Sequence, residues 1–232
     1  MTRGILIAGN ESLLCAAIAA EAAKRVERFA QVLLPNRLSE QNRGSPHAAP
    51  GAGPGTGFGS ASGAIPMTWN PGSPISARTL VLSAEHHLEH IDDAILICAP
   101  PSLRRPAAEL LPLDIEILVN DHIKGWFFLV RELAGIFRAR RSGTLALVAP
   151  ELGTSRDDQA DLLGIPAAAA FRAFAQGLLA SAPAEPYLTL GFGSQELGED
   201  DAFAAYIFKL IDEGNKRNSG KWHKFGKLGF FK

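Results

Sequence analysis

The feature that most restricts the fold is an alternation. Short apolar runs of strand length recur along the chain, each followed by a longer stretch with helical spacing. Residues Gly4–Gly9, Phe29–Leu34, Ile65–Trp69, Asp93–Ala99, Thr144–Ala149, Tyr187–Phe192 and Trp222–Phe225 read as strands. Residues Leu13–Arg28, Ser76–Ile91, Leu113–Arg141, Ala167–Ser181 and Asp201–Asp212 read as helices. Ser12 is placed to cap the first of these, and Arg138 to Arg141 put cations on the negative end of the long one. In the second helix, Leu80, Ala84, Leu88 and Ile91 form one apolar stripe. Strands alternating with helices imply βαβ units, and right-handed crossovers then build a doubly wound parallel sheet with helices on both faces. The expected class is α/β.

The chain has 232 residues, of which 47% are hydrophobic and 20% charged. That is enough for one domain spanning 1–232 to bury its own core without a disulfide or metal staple. A net charge of -1 and a mean hydropathy of +0.06 exclude wholesale disorder and a globally basic nucleic-acid binder. The two cysteines, Cys15 and Cys98, form no CxxC pair, and a reduced cytoplasmic setting is expected. The first apolar run is too short for a secretion signal, and no stretch approaches the ~20 apolar residues of a membrane span.

Three segments stand apart. Residues 44–63 hold seven glycines and three prolines with no charged residue, and read as a flexible loop. In the run Glu85 to His90, His86 and His90 have the i, i+4 spacing of a metal-binding pair, but they lie opposite the apolar stripe and lack a third ligand. A solvated polar face is the expectation, with no metal. Residues 216–232 carry six cations and no acid, leaving 17 cations and 24 acids, a net -7, on the remainder. Trp222, Phe225, Phe230 and Phe231 interleave with those cations. A last strand that packs its aromatics is expected there, ahead of a protein-docking tail; nucleic acid or membrane binding is not favoured.

Piece by piece, the chain resembles the short-chain dehydrogenase/reductase superfamily, whose domain is Rossmann-like. Ile5 to Gly9 resembles its first strand, running into the TGxxxGxG turn. Asn36-Arg37 resembles the basic site of NADP-preferring members. Asp93 to Pro100 resembles the D-x-L-V-N-N-A-G strand, and Ile123 to Phe128 the L-x-G-x-F segment of the long helix. Gly143 to Pro150 resembles the G-x-I-V-x-I-S-S strand, Ala173 to Ala180 the A-F-T-R-S-L-A helix, and Ser219 to Lys221 the T-G-Q before the last strand.

The family's chemistry is not repeated. The resemblance implies a Tyr four residues before a Lys, yet those positions fall near Gly164 and Ala168. The Ser position falls at Pro150, and the Asn of the long helix at His122, the one remaining group able to titrate. The only tyrosines are Tyr187 and Tyr206, and no Lys occurs between Lys124 and Lys209. In the glycine-rich turn Gly9 remains, while the other two positions fall at Leu13 and Cys15, and Glu11 adds charge beside the phosphate path. Gly9, Glu11, Ser12 and Arg37 are the residues left for a dinucleotide. The reading that follows is a catalytically degenerate protein of this fold, a pseudoenzyme with a structural, regulatory or partner-subunit role and no cofactor. Two alternatives stand beside it: a divergent oxidoreductase using NAD or NADP at a displaced site around His122, and a regulator that senses a ligand or nucleic acid through the basic tail. By resemblance, helices 113–141 and 167–181 would join copies into a homodimer or homotetramer, with Trp126, Phe127, Phe128, Phe171 and Phe174 serving core or interface.

Overall fold

The computed structural model describes residues 3–34, 62–100, 106–149, 161–194 and 198–226. The loop at 44–63, apart from its last two residues, lies outside these, as do Arg37, Pro150 and residues 227–232.

Seven strands form one sheet in the order β3-β2-β1-β4-β5-β6-β7, every neighbouring pair parallel. They are β1 (Ile5–Gly9), β2 (Phe29–Leu33), β3 (Ala64–Met67), β4 (Asp93–Ile97), β5 (Thr144–Val148), β6 (Leu188–Ser194) and β7 (Lys221–Phe225). β1, β4 and β5 are buried at every residue. Apart from Asp93 and Thr144, the first residues of β4 and β5, these strands are apolar throughout, as strands buried on both faces require. The principal helices are α1 (Leu13–Ala23), α2 (Pro74–Leu88), α3 (Pro112–Ile117), α4 (Gly125–Arg140), α5 (Gly164–Ser181) and α6 (Asp200–Glu213). No helix among the described residues is long and apolar enough to cross a membrane.

The sheet divides the core in two. On one face α2, α4 and α5 bury Leu80, Ala84, Trp126, Leu133, Phe137 and Phe171. On the other, α1 and α6 bury Ile18, Phe203, Ile207 and Phe208 against Ile7, Ile97 and Phe192. At the amino-terminal edge of the sheet an ionic network ties the elements together. Arg3 pairs with Asp93 and Asp212, and Arg25 pairs with Asp212 and Glu21.

Three boundaries differ from the expectation. α1 stops at Ala23 rather than Arg28, because Arg25 turns back to donate to the Glu21 carbonyl and carboxylate. α2 stops at Leu88, where Glu89 takes φ +66°. His90 therefore lies beyond the helix and pairs with Asp92 at 3.0 Å, so His86 and His90 do not share a helix face. The long helix is not continuous α-helix either. Between α3 and α4, residues Leu118–Lys124 form a wider π-helical turn.

In the basic segment, Lys216, Arg217, Lys221 and Lys224 are exposed. Its two described aromatics pack on the sheet: Phe225 near Phe203 and Tyr206, and Trp222 against the α5 side. The edge strand therefore uses them for the core, which leaves them unavailable as base-stacking platforms.

Candidate functional site

All strands are parallel, so their carboxyl ends share one edge. The connections run outward from β1 through β2 to β3, then return to β4 and run the other way. The reversal opens a crevice beyond the carboxyl ends of β1 and β4, where folds of this kind bind ligands.

The β1–α1 turn forms one wall. A Cβ on Gly9 would fall 2.9 Å from Ile97 Cβ and 3.2 Å from Ile97 O, so only glycine lets the turn pass this close to β4. Ser12 caps α1 by accepting from the Cys15 amide at 3.1 Å. The amides of Leu13 and Leu14, the first helical residues, have no intrahelical acceptor. A helix start of this kind, with no acid in its first turn, favours an anion. Asn10 is 8% exposed, and its buried Oδ1 has no hydrogen-bond partner. Cys15 is buried against the turn, accepts a weak contact from Gln31 Nε2 at 3.9 Å, and has its thiol pushed up to about 11 by burial. Leu13 is 64% exposed and Glu11 is exposed. Cys15 thus fills the helix contact the family gives to glycine, while Leu13 lies outside it.

A second feature is the π-helical turn, which packs against α5. Asp121 and His122 are fully buried there, and the Nδ1 of His122 has no hydrogen-bond partner. Burial pushes the imidazole down to about 4, so the ring is neutral at pH 7. The first turns of α5 pack against this turn: Ile117 and Leu118 meet Leu163 and Ala167, and Gly164 and Ala168 are buried. Asp161 starts the helix by accepting from the Leu163 and Gly164 amides at 3.2 and 2.8 Å. The structure thus brings His122's turn against the segment of Gly164 and Ala168, as the resemblance implies, and no hydroxyl or amine stands at those two positions.

Neither tyrosine reaches the crevice. Tyr187 precedes β6, at the opposite edge of the sheet beside Phe137, and Tyr206 lies on α6 under Phe225. The buried polar run of the π turn was missed in the sequence; three consecutive polar residues, Asn120 to His122, inside an apolar helix are its signal. Among the described residues no group of three or more His, Cys, Asp or Glu is arranged to hold a metal.

No family model matches the chain, and no curated protein matches it in sequence. Solved structures do match it over nearly its whole length. A metagenomic short-chain oxidoreductase in complex with NADP aligns at TM-score 0.69 and 12% identity, covering 96% of this chain and 95% of the other. An NADH-dependent reductase complexed with NAD aligns at 0.70 and 10%, covering 97% and 95%. A variant of actinorhodin polyketide ketoreductase with NADPH aligns at 0.70 and 14%, covering 99% and 98%. These neighbours carry nicotinamide dinucleotides, which overturns the expectation of no cofactor. That expectation rests on Leu13 and Cys15 standing where the motif has glycines. A helix start and backbone amides hold the pyrophosphate in this fold, and here β1, Gly9 and a capped α1 retain both. The chain has the fold of the short-chain dehydrogenases/reductases.

Proposed function

We propose that this protein binds a nicotinamide dinucleotide in the β1–β4 crevice and is a divergent NAD(P)-dependent oxidoreductase with a displaced active site. The observation that carries this reading is the match to dinucleotide-bound oxidoreductases along nearly the full chain. The residues fit the group at its pyrophosphate. Gly9 and the Leu13 and Leu14 amides would approach the phosphates, and the orphaned Asn10 Oδ1 would accept from a hydroxyl of the dinucleotide's sugars. When bound, the cofactor would supply or accept a hydride.

The chain's own part is to handle a proton at the substrate oxygen. The family's Tyr and Lys are missing, and of the titratable groups in their neighbourhood, Asp121, His122 and Asp161, His122 is the imidazole. A neutral imidazole has one donor and one acceptor nitrogen. With Nδ1 unpaired, the ring of His122 has hydrogen-bonding capacity left for a carbonyl oxygen or a water.

Titration calorimetry with NADPH and NADH tests the binding. Micromolar affinity is expected, and absence of binding at millimolar cofactor overturns the reading. Carbonyl-reduction screens with His122→Asn test the second half. Cofactor affinity is expected to persist and turnover to fall by about 100-fold or more, the usual worth of an acid–base group. Cofactor binding with no turnover on any carbonyl would instead favour a binding or regulatory role. We further propose that the chain self-associates through helices 113–141 and 167–181, where Phe127 is 48% exposed.

A further inference from the structure

We infer that the turn Trp69–Ser73, which follows β3, is a brace that sets the position of His122, acting through Gly125. Gly125 is where the π-helical turn returns to α-helix. Its amide donates to the Asn120 carbonyl, five residues back, and so closes the wide turn. A Cβ there would fall 2.6 Å from Pro71 Cβ, 3.2 Å from Trp69 Cη2 and 3.2 Å from Asn120 O. The turn therefore presses on the helix at the one residue without a side chain. Gly72 comes close as well: a Cβ on it would lie 3.5 Å from Asn120 Cβ and Cγ.

The brace is stiff. The Asn70 amide donates to Ser76 Oγ at 2.9 Å, and the Gly72 amide to Asn70 Oδ1 at 3.2 Å. The Ser73 amide donates to the Asn70 carbonyl at 3.0 Å, and the Ser76 amide to Ser73 Oγ at 3.2 Å. Trp69 is 7% exposed, with its ring 6.1 Å from that of Trp126, which in turn meets Phe171 edge-on at 5.4 Å. A π turn is rare, occurring mostly as a single turn within an α-helix. Here it has the turn Trp69–Ser73 on one side and α5 on the other. Asp121 and His122 lie between the two ends of the braced stretch, Asn120 and Gly125, and face inward. Gly125, Pro71 and Trp69 are accordingly positioning residues for His122, with no contact to substrate implied.

Gly135 is a built-in control. It lies in the same helix, and a Cβ on it would meet nothing within 4 Å. The test follows the His122 ring by NMR in the full chain. Gly125→Ala should displace the turn and raise the imidazole titration by about one unit or more, as water reaches the ring. Adding Pro71→Gly, which removes the obstructing carbon, should restore most of the parent value. Gly135→Ala should leave it unchanged. An unchanged titration in folded Gly125→Ala, an equal shift in Gly135→Ala, or no rescue by Pro71→Gly would each overturn the brace. Should Gly125→Ala fail to fold, Pro71→Gly alone carries the test: without the Ala methyl that fills the vacated space in the double variant, the turn no longer presses on the helix, and an unshifted His122 refutes the inference. The value of His122's position rests on the functional reading above, but the readout is independent of cofactor and turnover. Failure here leaves dinucleotide binding standing, and failure of binding leaves the brace standing.

Discussion

At His122 the chain accepts a cost that can be measured. The ring is 1% exposed, and burial holds its pKa near 4, against an ordinary value of 6.5. Below pH 6.5 the unfolded chain takes up a proton that the folded chain refuses. Stability therefore falls as the pH drops from about 6.5 to about 4, by about 3 kcal/mol from this group alone. Urea midpoints at pH 7.5 and 4.5 measure it. His122→Asn should flatten the pH dependence between these points, and an equal slope in both proteins would assign the loss elsewhere. Two glycines of β6 show a second constraint at this scale. A Cβ on Gly191 would fall 2.4 Å from the Trp222 ring and 2.8 Å from Leu179 Cδ1, and one on Gly193 would fall 2.9 Å from Trp222 Nε1. The Arg172 guanidinium covers the same ring at 4.3 Å. Gly191→Val should expel the indole and cost about 1–3 kcal/mol, as overpacking does, with a red shift of Trp emission. Nothing local marks these glycines, since their partner lies in the next strand of the sheet. His122 is marked in the sequence by the resemblance and by the polar run Asn120 to His122 inside an apolar helix.

Elements were more legible than residues because their signals are periodic. All seven strands and four of the five expected helices are present, while the helix expected over 113–141 is interrupted by the π turn; the largest boundary changes are at the ends of α1 and α2 and the start of α5. Ser12 was readable because a cap needs a specific side chain at a specific place. Its removal tests α1 as the anion-binding element. Ser12→Ala should cost about 1 kcal/mol of stability. If the crevice holds a dinucleotide, the variant should also weaken NADPH binding, because a frayed first turn no longer presents the Leu13 and Leu14 amides. Thermal melts with and without cofactor separate the two effects. The π turn was not legible, because a single inserted residue per turn leaves the apolar pattern on both sides intact. It is imposed by tertiary contact with the Trp69–Ser73 turn and α5, which local sequence does not encode.

For the whole molecule, the sheet is covered on both faces and its edges are managed. β3 carries Pro66, which has no amide to offer a neighbour, and β7 carries the exposed cations Lys221 and Lys224. Both devices discourage growth of the sheet by strand addition, so the proposed self-association would fall to the helical faces. On the α4–α5 side, Phe127 is 48% exposed and stacks on Phe174, ring centres 4.0 Å apart, while Leu113, Ile115 and Val119 leave further apolar surface on the same long helical stretch. An apolar surface of this kind is costly in water, and a second copy of the chain is the occupant proposed for it. Sedimentation equilibrium should therefore find a dimer or tetramer at micromolar concentration. Phe127→Glu should shift it to monomer by placing a carboxylate in the contact, with little change in the fold by circular dichroism, since Phe127 contributes little to the buried core. A parent protein that sediments as a monomer, or a Phe127→Glu variant that keeps the parent mass, would assign this surface to another role.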